Sequence, residues 1–244
     1  MKLESVLFCG INQSFLTFGS NQIKKKLNSI FMTEKRVEKF RRVARHRQGN
    51  LTIILENVHD PHNIGAVLRS CDSVGVKEIF VLYTEPELQF DRLYLGKNTA
   101  AGALKWVDVH FYRDPEACFK HVKSKYKKIF STHLAEDSVE IYDLNLADSV
   151  ALLFGNERDG VSATSQKYAD GNFIIPQVGM VQSLNISVAC AVTLYEAYRQ
   201  RREKGMYGEN PGLSETAQVE LFDAYVERHK RSGASRKIRA IGDE

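Results

Sequence analysis

Three short polar stretches combine residue types that can bind a ligand and act on it. The densest lies near the end of the chain, where Gly179, Gln182, Ser183 and Asn185 crowd the start of an apolar run that begins at Leu184. Free backbone N–H groups and short polar side chains at a helix N-terminus can hold a ligand and orient a reacting group. The same residues also suit an ordinary helix cap after a sheet strand. An earlier stretch, Glu56 to Arg69, places Asn63 at a helix start and Arg69 about two turns further on, among Ala66, Val67 and Leu68. An arginine in that setting needs an anion or a carboxylate, supplied by a ligand or by a structural salt bridge. His59 and His62 are spaced as metal ligands can be, but no convincing third ligand stands nearby, so a loop role is expected and no metal. Between these lies Gly155-Asn156-Glu157-Arg158-Asp159-Gly160. Its paired glycines suggest a phosphate loop, yet Val161 stands where the phosphate-binding lysine belongs, and no GxGxxG fingerprint is present for a dinucleotide. Glu157 can accept hydrogen bonds from a ligand or brace a neighbouring loop.

Each stretch follows a short apolar run, and the runs alternate with helical patterns. Strands are expected at 51–56, 78–83, 106–111, 128–133, 150–154 and 172–175, and helices at 64–74, 115–126 and 163–169, with a long one starting at Leu184. This alternation predicts an α/β fold with a mainly parallel sheet and helices on both faces. Ligands then belong at the C-terminal ends of the strands, where the three polar stretches stand.

A chain of 244 residues with 43% hydrophobic content can bury a sizeable core, and it reads as one domain with appendages. Its charge is uneven. Residues 1–50 carry 11 Lys/Arg against 3 Asp/Glu, residues 51–198 carry 13 against 19, and residues 199–244 carry 10 against 8. An acidic middle between basic ends suggests a core that handles something other than bulk polyanion, with extensions suited to a phosphate backbone. The four cysteines, Cys9, Cys71, Cys118 and Cys190, form no CxxC pair and read as reduced thiols. No apolar run reaches membrane-spanning length and residues 1–20 make a poor signal peptide, so a cytoplasmic protein is expected.

Residues 1–31 keep no periodicity and read as a loosely ordered leader; Met32, directly before a well-formed helix pattern, is expected to be the natural start. Residues 32–50 form a basic helix capped by Thr33 and running to about Gln48, with Lys35, Arg36, Lys39, Arg42 and Arg45 among its cations. A central α/β domain at 51–204 and a basic helical extension at 205–244 complete the expected organisation, the extension holding an amphipathic helix from about Ser214 to Arg228.

Taken together and in this order, the three stretches resemble the three motifs of the SpoU class of the SPOUT RNA methyltransferases, over about Thr33 to Tyr207. Asn63 and Arg69 match the first motif, Gly155, Glu157 and Gly160 the second, and Ser183 and Asn185 the third. The run Gly-Met-Val-Gln-Ser-Leu-Asn-Ile-Ser-Val-Ala at 179–189 looks most like the branch that methylates guanosine-18 of tRNA on its ribose 2′-oxygen. The resemblance implies a C-terminal trefoil knot, S-adenosylmethionine as methyl donor without a metal, and a homodimer, with Val188, Val192 and Tyr195 as part of the dimer face. It implies catalytic positions at Arg69, Asn63, Glu157, Ser183 and Asn185. Donor binding is implied at Gly155, Asn156, Gly160, Ile175, Gly179, Ser183 and Leu184. The basic ends, including Lys35, Arg36, Lys39, Arg42, Arg45, Arg201 and Arg202, fit extensions that grip tRNA. Methylation of ribosomal RNA or of the tRNA wobble position, and a non-catalytic RNA-binding role, are the competing readings.

Overall fold

The computed structural model of the chain describes residues 32–88, 102–135, 138–156, 158–181, 183–230 and 239–240. The leader, Glu157, Gln182 and the basic stretch 231–238 therefore lie outside the described residues. The chain divides into two units, residues 1–39 and 40–244. The described part of the first, residues 32–39, contains the opening turns of helix α1, Glu34–His46, where the Thr33 carbonyl accepts from the Arg36 and Val37 amides. The helix stops short of Gln48 because the Gln48 amide donates instead to the Gly75 carbonyl at 2.8 Å, leading the chain into the sheet.

The second unit is an eight-stranded sheet. In chain order its strands are β1 (Leu51–Glu56), β2 (Glu78–Leu82), β3 (Asp108–Tyr112), β4 (Lys128–Thr132), β5 (Val139–Glu140), β6 (Val150–Phe154), β7 (Gly171–Ile174) and β8 (Arg239–Ala240). They lie side by side as β5-β7-β4-β6-β1-β2-β3-β8, every pairing parallel. Five helices join α1: α2 (Pro61–Ser73), α3 (Pro115–Lys125), α4 (Ala163–Gln166), α5 (Ile186–Glu203) and α6 (Glu215–Lys230). The expected α/β architecture is thus observed. Two-residue strands such as β5 and β8 carry too little pattern to be read from sequence, and neither was expected.

Period-two alternation explains the layers. Leu51, Ile53 and Leu55 of β1, with Val150, Leu152 and Phe154 of β6, pack with Ile64, Val67, Leu68 and Cys71 of α2 and with Ile186, Cys190 and Leu194 of α5. Ile54, Ala151 and Leu153 point the other way, toward Cys118, Phe119 and Val122 of α3. Cys71, Cys118 and Cys190 are buried free thiols, and burial pushes the Cys118 thiol up to about 12, so they serve as core; Cys9 lies outside the described residues.

A polar anchor sits at the start of β2. The buried Glu78 carboxylate accepts from Lys125 Nζ at 2.9 Å and Tyr126 OH at 3.0 Å, and pairs with His110 Nε2 at 2.8 Å. Burial alone would raise this carboxyl, but the His110 and Lys125 contacts outweigh it and hold it down at about 2. A depressed carboxylate contributes stability that is complete above its ordinary value and lost as pH falls toward the folded one. Glu78→Gln is therefore expected to be less stable than the parent at neutral pH by at most about 3 kcal/mol. Thermal melts should show that gap closing between pH 4.5 and pH 2. A gap independent of pH would exclude the assignment.

Candidate active site

Strand order brings two of the three polar stretches together. β1 pairs with β6, Leu55 opposite Phe154, so the loops after them, 57–60 and 155–160, leave neighbouring strands at one level. The third stretch leaves β7, which is separated from β1 by β4 and β6. Three strand spacings amount to roughly 14 Å, and the segment from Ile175 to Asn185 crosses them. At its end Asn185 Nδ2 donates to Asn63 Oδ1 at 3.2 Å. Residues 122 positions apart in sequence thus meet side chain to side chain.

The same offset recurs further along, where Tyr195 OH lies 3.4 Å from Ser73 Oγ. A constant offset at both ends means that α2 and α5 run parallel, side by side and in step. Each helix presents its N-terminal turn to the strand ends. α2 begins earlier than the sequence pattern indicates: Pro61 opens it and Asp60, not Asn63, is the cap, its carboxylate accepting from the His62 amide at 2.8 Å. Asn63 instead accepts from Asn185 through its side-chain oxygen. Asn185 caps α5, its Oδ1 accepting from the Ser187 amide and hydroxyl at 2.9 and 2.6 Å, and so serves both as cap and as contact to Asn63. Arg69 lies two turns along α2, exposed, and among the described residues no carboxylate or other acceptor holds its guanidinium. The structural salt bridge that the sequence left open has no partner among the described residues.

The loop after β6 is a tight turn with no room at its base. A Cβ on Gly155 would stand 1.9 Å from the carbonyl carbon and oxygen of Gly160 and 2.3 Å from the Val161 amide. Gly160 has φ +68, a conformation in which other residues are strained. Asn156 holds the turn shut, its Oδ1 accepting from the Arg158 and Asp159 amides at 2.9 and 2.7 Å. Glu56, buried at the end of β1, braces the far side by accepting from the Ser162 amide and hydroxyl and from the Ser165 hydroxyl at 2.6–2.9 Å. Gly155→Ala is expected to deform this loop and to weaken donor binding by more than about tenfold, 1.4 kcal/mol by titration. Unchanged affinity would exclude the loop as a binding element.

Gly179 and Gly160 are open at their Cα atoms, with nothing within 4 Å of an added Cβ, so a ligand can approach both backbones. Ile175 turns its side chain into the core, which leaves its main chain at the loop. Leu184 is half-buried and Ser183 exposed beside the α5 N-terminus. Val178, Met180 and Val181 stand exposed between them.

One expected position is corrected. Arg201, read as an RNA contact, is 0% exposed. Its guanidinium donates to the Leu146, Asn50 and Asp148 carbonyls and to the side-chain oxygens of Gln48 and Asn50. Helical spacing alone could not separate it from its exposed neighbour Arg202. Arg47 is equally buried, on Tyr225 OH at 2.7 Å, the Val76 carbonyl at 2.9 Å and the Asp72 carboxylate. Arg199 is engaged by Glu196 and Glu203, and Arg228 by Asp108. Sequence reading also passed over Asn57, at φ +49, and Glu85, which joins loops that only the fold makes neighbours; Glu56 alone gave a signal, as a carboxylate ending an apolar strand. His59 pairs with Glu85 at 2.8 Å, and no group of His, Cys, Asp and Glu among the described residues is arranged to hold a metal.

Residues 50–195 match the SpoU rRNA Methylase family. A tRNA (guanosine(18)-2′-O)-methyltransferase of Thermus thermophilus is 41% identical over 175 residues, 72% of this chain and 88% of that protein. The crystal structure of an A. aeolicus TrmH/SpoU tRNA modifying enzyme superposes with a TM-score of 0.70 at 34% identity, covering 80% of this chain and 97% of that one. The SpoU methyltransferase AviRb from Streptomyces viridochromogenes, solved in complex with the cofactor AdoMet, shares the fold with a TM-score of 0.57 at 24% identity over 64% of this chain and 62% of that one.

Proposed function

Because the chain belongs to the SpoU rRNA Methylase family, we propose that it is an S-adenosylmethionine-dependent tRNA ribose 2′-O-methyltransferase acting on guanosine-18. The observation that carries this reading is the Asn63–Asn185 contact at the start of α2, the helix that also carries Arg69, an exposed arginine that no described residue engages. The relatives named as guanosine-18 enzymes align over most of the chain and supply the substrate.

The loops fit the donor. Gly155, Asn156 and Gly160 form a turn with one open backbone face, and Ile175, Gly179, Ser183 and Leu184 line the crossing segment with main-chain groups. S-adenosylmethionine supplies a methyl group already activated on its sulfonium. The protein's task is alignment, worth roughly 7–11 kcal/mol at best. Asn63 and Asn185, locked to each other, orient the ribose, and Ser183 fixes the approach of the loop. Glu157, outside the described residues, is assigned in this reading to brace Asn185 or Arg69. Arg69 faces the 2′-oxygen and stabilises the charge that develops as its proton leaves. Guanidinium groups keep their protons in proteins, so the proton goes to a substrate phosphate or to water.

Lys35, Arg36, Lys39, Arg42 and Arg45 are exposed along α1 and Arg202 at the end of α5, and these cations grip the tRNA backbone. A homodimer is supported by the apolar outer face of α5, where Val188 and Tyr195 are 46% and 54% exposed beside a half-buried Val192. The trefoil knot accords with a chain that leaves β7 and returns to lay α5 along α2. No helix among the described residues is long and apolar enough to cross a membrane, and we place the enzyme in the cytoplasm with its tRNA.

The deciding experiment is incubation with labelled S-adenosylmethionine and an unmodified tRNA transcript, followed by mapping of 2′-O-methyl ribose. Label at guanosine-18 is the expected result. Label at another nucleotide would keep the chemistry and move the substrate, and no label on tRNA or ribosomal RNA would leave a binding protein.

A further inference from the structure

The segment leaving β2 carries a carboxylate that touches both loops leaving β1 and β6. Glu85 Oε2 lies 2.8 Å from His59 Nε2, on the segment that runs into α2, and Glu85 Oε1 lies 3.4 Å from Asn156 Nδ2, on the turn after β6. Each oxygen serves one loop. The residue is itself held in place. Asn57, the residue directly after β1, takes φ +49 and turns its side chain onto the next strand end. There its Oδ1 accepts from the Thr84 and Glu85 amides at 2.8 and 3.4 Å, and its Nδ2 donates to Thr84 Oγ1 at 2.8 Å. Tyr83 OH adds a bond to the Val58 carbonyl at 3.1 Å. The backbone around Glu85 is thus fixed to the first loop before its carboxylate reaches across to the second.

We infer that Glu85 is a positioning residue: its carboxylate sets the separation between the loop that leads to Asn63 and Arg69 and the turn Gly155–Gly160. This rests on the methyltransferase reading of the site. A partly exposed polar contact such as His59–Glu85 contributes little to stability. Its consequence is geometric, because displacement of reacting groups by about an ångström costs on the order of a hundredfold in rate. Asn156 makes the coupling direct. Its Oδ1 closes the turn through Arg158 and Asp159, so a shift of its Nδ2 end moves the whole loop.

The test compares Glu85→Ala and Glu85→Gln with the parent in methyl transfer to tRNA, donor affinity, thermal midpoint and hydrogen exchange. Glutamine has the same length and keeps an amide oxygen that can accept from Asn156 Nδ2, while its amide group reaches His59 as the carboxylate did, so the bridge persists. Glu85→Ala is expected to lose on the order of tenfold in kcat, reflecting a sub-ångström shift, with unchanged midpoint and a donor affinity weakened by less than the roughly tenfold expected of Gly155→Ala. Amides in 58–63 and 155–160 exchange faster in that variant, and Glu85→Gln restores both kcat and protection. A kcat for Glu85→Ala matching the parent, or exchange unchanged in both loops, would overturn the inference. So would a loss that Glu85→Gln does not restore. Should the parent not methylate RNA at all, the functional reading fails, while the exchange comparison still decides whether Glu85 couples the two loops.

Discussion

Arg69→Ala is expected to cut methyl transfer by on the order of a thousandfold, in line with removal of a charge-stabilising donor from a transition state. Donor affinity should stay within a few-fold, because the groups assigned to the donor lie on other segments, at 155–160 and 175–184. The fold should be indifferent: Arg69 is exposed on α2, and replacing an exposed side chain that nothing described holds changes stability by less than about 0.5 kcal/mol. Single-turnover rates, isothermal titration with the donor and a thermal melt separate the three quantities. Arg69→Lys sharpens the result. Lysine keeps a charge but loses the planar fork, so partial recovery would show that charge near the 2′-oxygen is what matters, and none would show that two-pronged geometry does. Transfer by Arg69→Ala at more than about a tenth of the parent rate, a barrier change under 1.4 kcal/mol, would remove Arg69 from the mechanism.

The second large effect concerns stability. Arg201→Ala should lower the folding free energy by about 3–5 kcal/mol, since it leaves several buried acceptors without donors and a void where a guanidinium stood. All five N–H donors of Arg201 are used, at 2.6–3.2 Å, on the Leu146, Asn50 and Asp148 carbonyls and the Gln48 and Asn50 side chains. Burial pulls this guanidinium down to about 10, so it remains charged at neutral pH and is held by neutral oxygens. At about 2–4 °C per kcal/mol for a domain of this size, the thermal midpoint should fall by roughly 10 °C. Arg202→Ala is the control. Its side chain is exposed, so its midpoint should match the parent's while RNA affinity and its salt dependence weaken. If Arg201→Ala melted with the parent and only RNA binding suffered, the burial assignment would be wrong and the sequence reading of Arg201 restored.

Composition, spacing and residue type alone predicted the sheet and its parallel sense, and they named a candidate site at the ends of its strands. Leu51–Glu56 and Val150–Phe154 read as nearly continuous apolar runs because both faces of a parallel sheet are covered, while the division of their side chains between the two faces follows from strand geometry. The motif resemblance marked Asn63, Arg69, Ser183 and Asn185 for the same reason: the identity of a residue is visible without its neighbours. Helix starts were less legible. Asp60 and Asn63 are both good caps, and the choice fell to Pro61, whose fixed φ suits the first helical position.

Tertiary structure alone decided which residues meet. That Asn185 touches Asn63 follows from a loop crossing three strand spacings and from two helices running in step, neither of which has a local signature. The same holds for Glu85, an unremarkable acidic residue until β1, β2 and β6 lie side by side and place His59 and Asn156 on either side of it. Arg201 and Arg202 are adjacent and chemically identical, so sequence could not assign one to the interior and the other to solvent. A helix turns 100° per residue, and only the position of the surrounding carbonyls, fixed by packing against the 46–50 and 146–148 segments, determines which side chain is buried.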